Sequence, residues 1–172
     1  MIEYLQNILI AQFEAALSMT KQRIEICPDE HFEGTIGDAT FRQLAYHVLF
    51  WLDHYLTYHE DAFVMSEFNL RGGDERRPIL SDGLTKEDVL AYVEFCRQKI
   101  RTSIGEETEE SLRGGSGFPS IFVKSKPSRG ELHLYNLRHL QHHTAQLSTY
   151  LRRISDEHNL ALDLPWIGSG WK

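Results

Sequence analysis

The stretch NLRHLQHHTAQL, residues 136–147, places three histidines in five positions. On a helix, residues three or four apart are neighbours on one face. His139 and His143, four apart, can therefore present two imidazoles to one ion, and His139 with His142, three apart, forms a weaker alternative pair. Neutral imidazole is a good ligand for zinc and for nickel. Two ligands on one helix leave a site incomplete, so a third must come from a facing element. The run TFRQLAYHVLFWLDHYL, residues 40–56, offers two: His47, and His54 two turns further on.

Helical geometry ranks these side chains. At ~100° per residue, Leu132, His143, Tyr150 and Ile154 fall on one side of His139, within ~60° of it. His143 thus lies near the middle of an apolar stripe, with His139 one turn earlier and His142 at the rim. Arg138, Gln141 and Arg152 occupy the opposite face, and His133 lies on a far flank near the helix start. In the earlier segment the stripe is Phe41, Leu44, Val48, Trp51, Leu52 and Tyr55, with His47 at its edge. A metal-ligating imidazole also needs a partner for its second ring nitrogen. Asn136 and Gln146 are placed to serve, Tyr135 and Tyr150 border the stripe, and Trp51 can wall a pocket.

Four long periodic segments carry these residues. The first spans about Ile2 to Ile26 and stops at Cys27-Pro28, since proline disfavours helix at the preceding residue. The second spans about Phe41 to Glu60, with Thr40 and Gln43 at capping-box spacing. The third opens at Thr85, with Asp88 three residues on, and ends near Ile104. The fourth opens at Ser128, with Glu131 at the same spacing, and ends near Ser155. FVMSEFNLRGGDERRPILSDG and LRGGSGFPSIFVKSKPSRG connect them without helical period, and SIFVKS is the best candidate for a short extended piece. The acidic run Glu106 to Glu110 reads as a solvated surface. The tail DEHNLALDLPWIGSGWK is expected to pack back as irregular structure, because Pro165, Trp166, Ile167 and Trp171 are too apolar for a free end. The fold expected is all-α, a four-helix bundle with long crossover connections, in one domain over residues 1–172.

Composition excludes several classes. A chain of 172 residues with 41% hydrophobic and 25% charged residues is ordinary for a globular domain. A net charge of −7 argues against nucleic acid as a partner. No apolar run approaches the ~20 residues of a membrane span, and the N-terminus lacks the basic region of a signal peptide. Cys27 and Cys96 are too few and too separated for a disulfide framework; they read as small buried apolar residues suited to the cytoplasm. Extra apolar positions such as Phe13, Leu17 and Leu137 suggest a homodimer through helical faces.

LAYHVLFWLDHYL and GELHLYNLRHLQHHTAQL together resemble the DinB/YfiT-like superfamily, whose members are four-helix bundles that hold a metal with three histidines. The resemblance implies His47, His139 and His143 as the ligands; the helical faces put Trp51, His54, Asn136, His142 and Gln146 around them. It implies a divalent metal with an open coordination position, zinc or nickel first and iron as a further option. It also implies a reaction on a small molecule, as a metal-dependent hydrolase or a transferase using a low-molecular-weight thiol. The other reading is a non-catalytic or stress-associated bundle protein, whose ion mainly ties two helices together.

Overall fold

Thr40, Thr85 and Ser128 each precede a long amphipathic run, and each caps it. The hydroxyl accepts from the backbone N–H three residues on, and that residue's side chain (Gln43, Asp88, Glu131) accepts from the cap's own N–H. The computed structural model describes residues 1–72, 84–119, 121–122, 124–159 and 161. Four long helices follow from these signals: α1 (Ile2–Ile26), α2 (Phe41–Leu56), α4 (Lys86–Gly105) and α6 (Arg129–His158), with two short ones, α3 (Glu67–Gly72) and α5 (Glu109–Arg113), in the connections. α1 stops where Cys27, ahead of Pro28, turns to extended backbone. α6 outruns the expected end by three residues, until Asn159 adopts the left-handed conformation at φ 52°.

The helix directions can be read from cross-helix bonds. Lys21 pairs with Glu94, and Glu14 with Arg101, so α1 and α4 are antiparallel. Thr20 meets Thr144 and Arg23 donates to Ser148, so α1 and α6 are parallel. Cys96 lies against the carbonyl of Leu49 and Lys99 against Asp53, so α4 and α2 are parallel. His47 faces His143, while Arg129 reaches Leu56, so α2 and α6 are antiparallel. The bundle is therefore up-down-down-up, and the connection from α2 to α4 must cross its full length. Phe13 and Leu17 of α1, Leu49 and Leu52 of α2, Val93 and Ile100 of α4, and Leu140 and Leu147 of α6 are wholly buried in the middle. Phe13 and Leu17, expected on a face for association, are thus committed to the monomer's own core.

Other expectations need correcting. α2 ends at Leu56 rather than Glu60, because the Arg129 guanidinium takes up the terminal carbonyls of Tyr55, Leu56 and Thr57. The 63–83 connection holds α3, too short to show a period, fixed by Asn69, which accepts from Ser66 and donates to Tyr92. The 28–40 loop contains a two-stranded hairpin, with Thr35 opposite Thr40 and Ile36 opposite Ala39. Gly37 turns it at φ 60°, a conformation that favours glycine. The SIFVKS segment forms no strand among the described residues, and Phe122 packs instead on Tyr55 and Tyr135. The acidic run is not all solvated. Glu107 is 4% exposed, accepting from Arg129 and His133, while Ser111 of α5 donates to its other oxygen. Cys27 and Cys96 are free and buried. The apolar tail from residue 162 onward lies outside the described residues.

Candidate metal centre

α2 and α6 pack along one line, and the polar breaks in their apolar stripes meet there. On α2, Phe41, Leu44 and Val48 anchor the first turns in the core, which leaves His47 half-buried on the flank facing α6. On α6, Leu140 and Leu147 do the same for His139 and His143. Ring centroids are 4.7 Å apart for His47 and His143, 5.4 Å for His47 and His139, and 4.5 Å for His139 and His143. One ring nitrogen from each of the three falls within 4.8 Å of the other two. Among the described residues, no other group of three histidine, cysteine or carboxylate side chains converges in this way.

The protonation pattern follows from the neighbours. Gln146 Oε1 stands 2.7 Å from His143 Nδ1, and a carboxamide oxygen can only accept. His143 therefore carries its proton on Nδ1 and turns the Nε2 lone pair toward His139 Nε2, 3.1 Å away. Burial pushes His47 down to about 4 and His139 down to about 3, each reinforced by neighbouring histidines. Burial also lowers His143, against the upward pull of Gln146. All three imidazoles are thus neutral at pH 7, the form that binds a metal.

This donor set fits a divalent cation. Two imidazole nitrogens bound to one zinc at ~2.0–2.1 Å in tetrahedral geometry stand about 3.3 Å apart. The His139–His143 nitrogen separation is close to that before any ion is considered. His139 Nδ1 is buried with no hydrogen-bond partner among the described residues, so this ring lacks the outer partner that Gln146 gives His143. Tyr135 stacks on that ring at 6.2 Å and holds its plane.

A cavity of about 360 Å³ opens beside the cluster, lined by His47, His143, Gln146 and Leu44 together with Ile36 and Asp38 of the hairpin. Lined by apolar and polar groups together, it can seat a small molecule against His47 and His143.

The remaining expected residues are dispersed. Trp51 packs edge-on against His47 at 6.3 Å. Asn136 is buried further down α6, where it donates to the carbonyl of Leu52. His142 is exposed and lines a separate cavity. His54 is buried two turns from His47, between Phe50, Phe63 and Phe118, and burial followed by the nearby Lys99 charge lowers it to about 4. The hairpin wall was not anticipated; the sequence signal for it is Gly37-Asp38 between two short runs.

Neither curated proteins nor solved structures provide a match to this chain. A sequence profile of the DinB superfamily matches residues 12–147. That span takes in His47, His139 and His143, all of α2, and α6 as far as Leu147. Since the match covers most of the sequence and both histidine-bearing helices, the chain belongs to the DinB superfamily.

Proposed function

We propose that this chain binds one divalent cation through His47, His139 and His143 and works as a metal-dependent enzyme on a small molecule, as a hydrolase or a thiol S-transferase. The observation that carries the reading is the convergence of three neutral imidazole nitrogens, with His47 and His143 lining a cavity of about 360 Å³. Three histidines beside open space are the donor set of catalytic rather than structural zinc. Zinc and nickel suit the ligands, with iron a third option. Bound there, a divalent cation supplies Lewis acidity that activates a water or thiol, or polarises a carbonyl.

The protein's own groups do the rest. Gln146 fixes the proton of His143 on Nδ1 and keeps Nε2 free to ligate. Trp51 and Tyr135 hold the rings of His47 and His139. The hairpin walls one side of the cavity. Burial keeps the His47 and His139 imidazoles neutral and so available to ligate.

The reading includes a single domain over residues 1–172 and a reducing cytoplasmic setting, which suits two free buried thiols. It also includes a homodimer, for which exposed Tyr4, Leu5 and Ile8 on α1 supply apolar contacts. The non-catalytic alternative, an ion that only ties α2 to α6, calls for a closed coordination sphere. The cavity beside the nitrogens favours the enzyme.

The test is elemental analysis of protein purified without a nickel column, followed by hydrolase and thiol-transfer assays with and without chelator. About one metal per chain and a chelator-sensitive activity are expected. Metal-free protein that takes up neither zinc nor nickel would refute the reading.

A further inference from the structure

The cavity beside the three histidines does not stand alone. A second cavity of about 340 Å³ adjoins it, sharing Ile36, Gly37 and Gln146 as walls and continuing to His142, Tyr150 and Arg153. Along α6, His143, Gln146, Tyr150 and Arg153 line this path. Their steps of three, four and three residues keep them on one helical face. From His143 to Arg153 is ten residues, or ~15 Å of helix. At the waist between the two spaces, Gly37 has nothing within 4 Å of where a Cβ would project, so the hairpin tip leaves the passage clear.

The two ends differ in charge. The histidine end carries the Asp38 carboxylate on its rim. The far end carries Arg153, whose guanidinium reaches the Thr35 carbonyl at 3.3 Å, lies 5.2 Å over the Tyr150 ring and stands 4.0 Å from Glu157. These contacts are long. The Arg153 and Glu157 side chains are both more than half exposed, and an exposed pair of this kind holds weakly. A guanidinium has five donors, and these contacts leave most of them for a ligand. His142 lines the same space and adds a ring nitrogen. One cationic group beside a histidine matches a single carboxylate better than a doubly charged phosphate.

We infer that the substrate is an elongated carboxylic acid. Its reacting group sits at His47 and His143, its chain passes Gln146, and its carboxylate is received by Arg153. This rests on the metal-centre reading above and adds the ligand class and its direction. Arg153 sets the direction, since it is the cationic side chain that lines the far end. Arg153 acts as a binding and specificity residue, without contact with the reacting atoms.

The test uses the zinc-loaded full-length chain and two probes of equal length, the monohydroxamate of suberic acid and octanohydroxamate. Each has the same metal-binding head, and only the first ends in a carboxylate. Calorimetry is expected to show the carboxylate-ended probe binding about fivefold tighter or better. In Arg153→Gln that advantage disappears while octanohydroxamate binds as before, and Arg153→Lys recovers part of it. Equal affinity for both probes in the unsubstituted chain overturns the inference, as does an equal loss for both in Arg153→Gln. A chain that takes up no zinc instead refutes the metal reading. The carboxylate end is then probed with octanoate on the metal-free protein: binding that Arg153→Gln abolishes supports the inference, and no binding overturns it.

Discussion

Gln146 Oε1 lies 2.7 Å from His143 Nδ1, one turn further along α6, and this contact decides which nitrogen of His143 faces the other histidines. Without an acceptor at that position, the proton is free to move to Nε2 and block the lone pair that must ligate. Hydrogen-bond partners of metal-bound histidines typically contribute 10–100-fold to metal affinity. Gln146→Leu is therefore expected to weaken zinc binding at least tenfold with little change in fold. Competition with a chromophoric chelator measures this, and an unchanged dissociation constant contradicts it.

The histidine cluster predicts a ranking. His47→Ala, His139→Ala and His143→Ala each leave two imidazoles and should yield largely metal-free protein. His142, exposed and turned toward the neighbouring cavity, should be dispensable, so His142→Ala keeps near-normal occupancy. Elemental analysis of the four variants decides. Loss of metal in His142→Ala with retention in His139→Ala would mean that the ligand pair is spaced by three residues rather than four.

His54 predicts an acid sensitivity apart from the ligands. Its folded pKa is about 4, against an ordinary 6.5, because burial disfavours the charged ring. The unfolded chain then binds a proton that the folded chain refuses. The resulting stability is complete above pH 6.5 and is lost as pH falls toward 4, at ~1.4 kcal/mol per pH unit for one histidine. Urea unfolding of the metal-free protein at pH 7 and pH 5 should show the decline, to which His47 and His139 also contribute, and His54→Phe should make it shallower. Parallel slopes for both proteins would exclude His54 as a source.

The Glu107 cluster predicts a large stability effect. Burial alone would raise this carboxyl, but hydrogen bonds from His133, Ser111 and Arg129 hold it down at about 2. Its contribution is present above about 4.5 and disappears as pH falls toward 2. Arg129→Met leaves the carboxylate buried opposite His133 and strips the end of α2 of its donor. A loss of roughly 3–5 kcal/mol is expected, the usual effect of breaking a buried pair from one side. Chemical denaturation measures it, and a loss below 1 kcal/mol would show that water replaces the guanidinium.

Much of this could be read from the sequence where the signal is local. Thr40 with Gln43, Thr85 with Asp88 and Ser128 with Glu131 each need only four consecutive residues, and all three capping boxes form. The spacing of His139 and His143 is equally local. The Glu107 cluster was missed because its partners Arg129 and His133 lie 22 and 26 residues away, so the segment reads as a run of surface acids. Asn136 shows a further limit. Its place on the helical stripe was read correctly, but its height along the bundle sets its partner, the carbonyl of Leu52. Height depends on the offset between two helices, which no periodicity reports.

Arg129 fixes that offset. By donating to the carbonyls of Tyr55, Leu56 and Thr57, it bolts the first turn of α6 to the last turn of α2, well away from the histidines. Sliding either helix by one turn would break all three bonds. His47 and His139 are therefore brought level by an anchor that involves no ion. An ion entering the site has no helices to assemble, and one leaving it releases none. On a scaffold already folded, any metal taken up could exchange freely, and its identity would then reflect which metals the surroundings supply as much as the affinity of the three rings.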